Sequence, residues 1–173
     1  MTHHTVSVEL EDKPGALTRV SQMFARRGYN IMSLAVGPTE RRGVSRLTLR
    51  VDCSEHTFEQ IEKQMHKLVN VLRVTELHPE ESVERELALI TVAAPPDKRA
   101  ELITMTEVFG ARVADIGRET ITFEVVGRPE ELDAFEELVR PHGVRELART
   151  GRIGLRRAGN PTSQTRQKSA TVH

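Results

Sequence analysis

Tryptophan is absent and aromatic residues supply only 3% of the 173-residue chain, so its cores must be packed from aliphatic side chains. A single cysteine, Cys53, excludes an internal disulfide and fits a reducing compartment. Charge of one sign is also missing: 25 basic and 25 acidic side chains cancel, which implies no general affinity for nucleic acid or membrane surfaces. No apolar run reaches the ~18 residues that a membrane span needs. The first residues, Met1-Thr2-His3-His4, run straight into a strand pattern and leave no room for a signal peptide. These absences together describe a soluble, cytoplasmic protein. Its 38% hydrophobic content suffices for one ordinary domain or two small ones.

Catalytic patterns are missing as well. There is no nucleophile elbow, no phosphate-binding loop and no dinucleotide fingerprint. Cys53, His56 and His66 come nearest to a metal cluster, but a strand end and two positions ten residues apart around a helix do not converge, and a fourth ligand is lacking. Cys53 reads as a small core residue rather than a nucleophile. The pairs Glu80-Glu81, Glu130-Glu131 and Glu136-Glu137 read as solvated faces and helix starts. No catalytic residue and no metal ligand is therefore assigned. From Arg149 onward there are six basic residues and no acid, against 19 basic and 25 acidic before it. Without aromatic side chains beside them, these cations read as a solvated tail, or one that docks an acidic partner, ahead of a nucleic-acid site.

What is present is a repeated pattern. Val6, Val8 and Leu10 alternate as in a half-buried strand, and Leu17, Val20 and Phe24 recur at helical spacing up to Arg26-Arg27-Gly28. Asn30 to Val36 is apolar on both faces and reads as a well-covered strand. Leu47, Leu49 and Val51 alternate in a third strand, Phe58, Ile61, Met65 and Leu68 mark a second helix, and Val71 to Leu77 forms a fourth strand. This βαββαβ order within ~75 residues is the ferredoxin-like arrangement, with strand order 4-1-3-2, both helices on one sheet face and the other face uncovered. Residues 86–148 repeat it, with Phe135 in the place of Phe58 and Ile153 to Leu155 extending the last strand. The expected organisation is α+β: residues 1–78 and 79–158 as two ferredoxin-like units, then a disordered tail at 159–173.

One stretch organises the first unit: Asp12-Lys13-Pro14-Gly15-Ala16-Leu17. Pro14 fixes one φ, and Gly15 can take the positive φ that a type II turn needs at its third position. The chain then enters a helix whose first N–H groups have no internal partner, which suits an anion. An ordinary turn with nothing bound is the alternative. An amino acid would offer a carboxylate to the N–H groups of Gly15, Ala16 and Leu17, and an ammonium to Asp12. Asn30 opens the second strand, at the sheet edge, so two paired edges would bring Asn30 of one chain near the turn of another. The second unit has Pro95-Pro96-Asp97 at this place and no glycine to open its helix.

With that turn, the βαββαβ unit resembles the ACT domain, a regulatory module for small effectors, mostly amino acids. The run Asp12 to Val20, followed by Arg27-Gly28-Tyr29-Asn30-Ile31, is similar to the acetolactate synthase (acetohydroxyacid synthase) small-subunit family. Pro38-Thr39-Glu40, Ser45 to Thr48, Glu59 to Leu68 and Val83 to Leu87 extend the match over residues 3–158. The resemblance implies a non-catalytic chain that activates a large subunit carrying thiamine diphosphate, magnesium and FAD. That partner forms acetolactate from pyruvate, under feedback inhibition by valine. This chain itself would bind no cofactor. The implied effector site comprises Asp12, Gly15, Ala16, Leu17, Asn30 and Ile31 across a homodimer of ACT domains. Many members have Asn where Asp12 stands. A free-standing ACT-type amino-acid sensor acting on another enzyme is the alternative expectation.

Overall fold

The computed structural model describes residues 2–158. The chain divides into two compact units, one ending at Val83 and joined by the segment from Ile153, the other spanning Glu84–Arg152.

The first unit runs β1 (Thr2–Glu11), α1 (Ala16–Arg26), β2 (Ile31–Pro38), β3 (Val44–Cys53), α2 (Glu55–Met65) and β4 (Val71–Leu77). Its sheet has the order β2-β3-β1-β4, all antiparallel pairs, which is the expected 4-1-3-2 read from the other edge. Alternation fixes the faces. Val6 and Val8 stand opposite Leu49 and Leu47, and all four are fully buried with Phe24, Ile61 and Met65 from the two helices. Gly28, at φ 68, ends α1 in a Schellman turn: Tyr29 N–H donates to Phe24 O (3.0 Å) and Gly28 N–H to Ala25 O (3.2 Å). The Phe24 and Tyr29 rings meet edge to face at 6.3 Å and complete it. His4 belongs to this core too, 3% exposed, stacked on Phe58 at 4.3 Å and bonded through Nδ1 to Glu76 Oε1 at 2.7 Å.

Two expectations change here. β2 is not well covered: it is the edge strand, with Met32, Leu34 and Val36 exposed at 50%, 37% and 48%. Leu34 and Val36 pair with Leu49 and Leu47, so they share the helix-bearing face but lie beyond the helices' reach. Conversely, Thr5, Ser7, Glu9 and Thr48 on the opposite face are buried, so that face is not open at the centre of the sheet.

The second unit runs β5 (Ser82–Ala93), α3 (Arg99–Phe109), β6 (Arg112–Ile116), β7 (Thr120–Gly127), α4 (Pro129–Val139), a 3-10 turn (Arg140–His142) and β8 (Val144–Arg149). The order β6-β7-β5-β8 repeats the first sheet's topology. Ile90, Val92, Ile121, Phe123 and Phe135 form its core, with Phe135 edge-on to Phe109 and Phe123. Phe135 is the seventh residue of its helix and Phe58 only the fourth of its own, so the two are not positional equivalents. A final strand, β9 (Ile153–Arg156), pairs with β5 and does not prolong β8; its segment groups with the first unit. Arg157 N–H donates to Glu81 O at 2.8 Å and fixes its end. The expected tail at 159–173 lies outside the described residues.

Candidate functional site

The turn between β1 and α1 has the geometry its residues imply. Gly15 adopts φ 84 and ψ −6, and Ala16 N–H donates to Lys13 O at 3.1 Å. That closes a type II turn with Pro14 second and Gly15 third. Arg19 N–H then donates to Gly15 O at 3.0 Å, the first helical bond. The Ala16 N–H is therefore committed to the turn and cannot serve a ligand, a correction to the expected donor set. The N–H groups of Gly15, Leu17 and Thr18 find no acceptor among the described residues. A Cβ built on Gly15 would meet nothing within 4 Å, so the turn opens onto free space.

The preceding residues hold the turn in place. Asp12 N–H donates to Gly43 O at 2.8 Å, tying the turn to the loop before β3. Glu11, which sequence reasoning passed over, accepts from Asn70 Nδ2 at 2.9 Å and pairs with Lys13 Nζ at 3.1 Å. The Asn70 hydrogen bond, with Lys13 behind it, holds the Glu11 carboxyl below its ordinary range. Glu11 is thus engaged, while the exposed Asp12 carboxylate keeps its oxygens for an incoming donor. No local pattern flags Glu11, because Asn70 lies fifty-nine residues away.

Of the residues expected at the site, Asp12, Gly15, Ala16 and Leu17 lie together. Ala16 is buried in the core and Leu17 is 38% exposed. Asn30 and Ile31 do not join them within one chain. Ile31 pairs with Val51, opposite His4, near the start of β1, whereas Pro38 pairs with Ser45, opposite Leu10, near its end. The 11-residue α1 separates the two groups by about 16 Å. Asn30 is exposed, and its Nδ2 donates to Met32 Sδ at 3.1 Å. Ile31 packs against the core.

The corresponding turn of the second unit is built differently. Lys98 N–H donates to Pro95 O at 2.9 Å, and Lys98 caps α3 in a right-handed conformation, φ −100. The Arg99 guanidinium folds back over this turn, its Nε on Ala94 O at 3.1 Å and its NH2 on Gly117 O at 2.8 Å and on Arg118 O. As expected, no glycine opens this helix. Among the described residues, no group of three His, Cys, Asp or Glu side chains could hold a metal. Cys53 packs against the first core, and His56 bonds Gln60 at 3.1 Å. No helix among the described residues is long and apolar enough to cross a membrane.

Comparison with known proteins places this arrangement. Residues 6–73 match a model described as an "AHAS small subunit-like ACT domain", and residues 85–158 match one described as "Small subunit of acetolactate synthase". The chain belongs to the acetolactate synthase small-subunit family. It is 47% identical over 152 residues to a probable acetolactate synthase small subunit of Archaeoglobus fulgidus, covering 88% of this chain and 95% of that one. It is 46% identical over 154 residues to the small subunit of Mycolicibacterium smegmatis, covering 89% and 91%. The crystal structure of the Thermotoga maritima small subunit superposes with a TM-score of 0.83 at 42% identity, covering 91% and 98%. Both units of an acetolactate synthase small subunit are therefore present, the ACT unit carrying the open turn.

Proposed function

We propose that this chain is the regulatory subunit that activates the catalytic subunit of acetolactate synthase in the cytoplasm and mediates its feedback inhibition by valine. The catalytic partner would carry thiamine diphosphate, magnesium and FAD and form acetolactate from pyruvate; this chain would bind none of them. The observation that carries the reading is the Lys13–Ala16 type II turn, which leaves the Gly15 and Leu17 N–H groups without acceptors at the start of α1. Two such donors on a helix N-terminus suit an α-carboxylate. Asp12 beside them suits the α-ammonium.

The other half of the site comes from a second copy. β2 is an edge strand with unpaired main-chain groups, and Met32, Leu34 and Val36 are exposed along it. Two-fold antiparallel pairing of two β2 edges would set the start of one against the end of the other. Asn30 and Ile31 of one chain would then approach the Gly15 turn of its partner across the 16 Å that separates them within a chain. Effector affinity and dimer geometry become coupled, which is what a switch acting on a bound enzyme requires.

Calorimetric titration of the full chain with valine, leucine and isoleucine tests the reading. The expected result is saturable binding of valine at one molecule per chain, with valine-sensitive stimulation of the catalytic subunit that co-purifies with it. Absence of heat with all three amino acids would overturn it.

A further inference from the structure

The helix-free face of the first sheet carries a second polar site, separate from the Gly15 turn. Strand register builds it. Glu9 on β1 stands between Arg46 on β3 and Arg73 on β4, and Ser7 stands between Thr48 and Thr75. Arg156 comes to the same place from β9. Ser7, Glu9, Arg46, Arg73, Thr75 and Arg156 line one cavity of about 280 Å³ within the first unit. Ser7 and Glu9 are each 9% exposed, so the floor of this cavity is buried.

The balance of charge and of hydrogen-bonding capacity is unequal. Three guanidinium groups line the cavity against one carboxylate. That carboxylate is shared further: Arg46 donates to Glu9 Oε1 at 2.9 Å and Arg41, outside the lining, donates to Glu9 Oε2. The buried Nε–H of Arg46 is left without an acceptor among the described residues. The Ser7 and Thr75 hydroxyls also have no hydrogen-bond partner among the described residues. The Arg46 Nε–H and the Arg156 guanidinium thus have no acceptor among the described residues, and like charges are gathered where water screens them less than at an open surface. A doubly charged oxyanion corrects both imbalances at once, because its oxygens accept from several forked guanidinium donors and from hydroxyls.

We infer that this cavity binds a phosphate group, either free or as the phosphomonoester of a small metabolite. Occupancy would add contacts between β9 and the face of the first sheet, through Arg156 on one side and Arg46 and Thr75 on the other. The site uses none of the residues of the Gly15 turn and needs neither valine nor a catalytic partner.

The test is calorimetric titration of the full chain in a phosphate-free buffer, with chloride balancing ionic strength. One arm uses inorganic phosphate and the other sn-glycerol 3-phosphate. The expected result is saturable binding at one molecule per chain in at least one arm, and the tighter arm names the source. Arg156→Gln, at the rim, should weaken it at least fivefold, and Thr75→Val at least twofold. Arg26→Gln, on α1, should leave it unchanged and serves as the control for loss of cationic charge. No saturable binding in either arm would overturn the proposal. So would equal affinity in the wild type and both cavity variants, or an equal loss with Arg26→Gln. Circular dichroism melts of each variant separate lost binding from lost folding, and Thr75→Val carries the test if Arg156→Gln unfolds.

Discussion

The two strand-to-helix turns occupy the same place in the same topology and offer opposite chemistry. In the first unit, Pro14 and Gly15 close the turn with a single backbone bond, and the Gly15 and Leu17 N–H groups find no acceptor among the described residues. In the second, a guanidinium lies across the carbonyls of Ala94, Gly117 and Arg118. One turn presents donors that want an anion; the other brings its own cation to satisfy its acceptors. The edge strands differ in step. β2 has eight residues and exposes Met32, Leu34 and Val36, while β6 has five and exposes Val113 and Ile116. A βαββαβ unit therefore does not dictate a ligand site. The site proposed above would come from one positive φ and from a second copy's edge.

The largest expected effect follows from placing charge at the open turn. Asn and Asp are the L residues that best tolerate positive φ, Asn the better of the two, so Gly15→Asp and Gly15→Asn both bear strain at φ 84 and differ chiefly in charge. Gly15→Asp should weaken valine binding by about a hundredfold or more, about 2.7 kcal/mol, while Gly15→Asn stays within about tenfold of wild type. Calorimetry on both reads the difference. Equal losses would mean that strain, not an anion subsite, controls the turn, and the contrast between the two units would collapse.

Next in size is the edge. Leu34→Lys puts a charge on the exposed helix-side row of β2. It should abolish the proposed β2-paired dimer, leaving a monomer at micromolar concentration by light scattering where the wild type is a dimer, with valine affinity falling in parallel. A dimer that persists with full valine affinity would place the second half of the site elsewhere.

These contrasts were legible in the sequence to different depths. The type II turn could be read because Pro and Gly encode φ locally, and the strand order followed from connection rules that need only the element sequence. The missing glycine of the second unit was equally plain. What filled its place was not: Arg99 reaches carbonyls eighteen and nineteen residues away, and nothing near Arg99 in the chain marks them. The exposure of β2 was missed because apolar residues on both faces look the same whether covered by helices or awaiting another chain. His4 reads in the sequence only as lead-in to the first strand, although its ring stacks on Phe58, fifty-four residues on. The commitment of the Ala16 N–H is a consequence of turn type and could have been deduced from the turn itself.

Arg99 gives a smaller, purely structural prediction. Arg99→Ala removes charged hydrogen bonds to the Ala94 carbonyl before α3 and to the Gly117 and Arg118 carbonyls between β6 and β7. It should destabilise the second unit by about 2–3 kcal/mol in a denaturant titration, with valine binding to the first unit unchanged. A simultaneous loss of valine affinity would show that the two turns are not independent.

The smallest effect distinguishes how the second helix of each unit is capped. α2 uses a neutral group, Ser54 Oγ accepting from Thr57 N–H at 3.3 Å. α4 uses a carboxylate, Glu131 Oε2 accepting from Arg128 N–H at 2.8 Å. That backbone bond, helped by the Arg128 side chain, holds the Glu131 carboxyl below its ordinary 4.5. A lowered folded value means that the stabilisation is complete above the unfolded value and is lost as pH falls through the folded one. Glu131→Gln keeps an acceptor but loses the charge, and the half-exposed position limits the cost to about 0.5 kcal/mol at neutral pH. The difference from wild type should shrink to nothing as pH drops below 4.5. Ser54→Ala should instead cost about 1 kcal/mol at every pH across the same range. Paired urea titrations from pH 7 to pH 3 would separate the two behaviours, and a pH-independent gap for Glu131→Gln would mean that the carboxylate's charge does not hold that helix start.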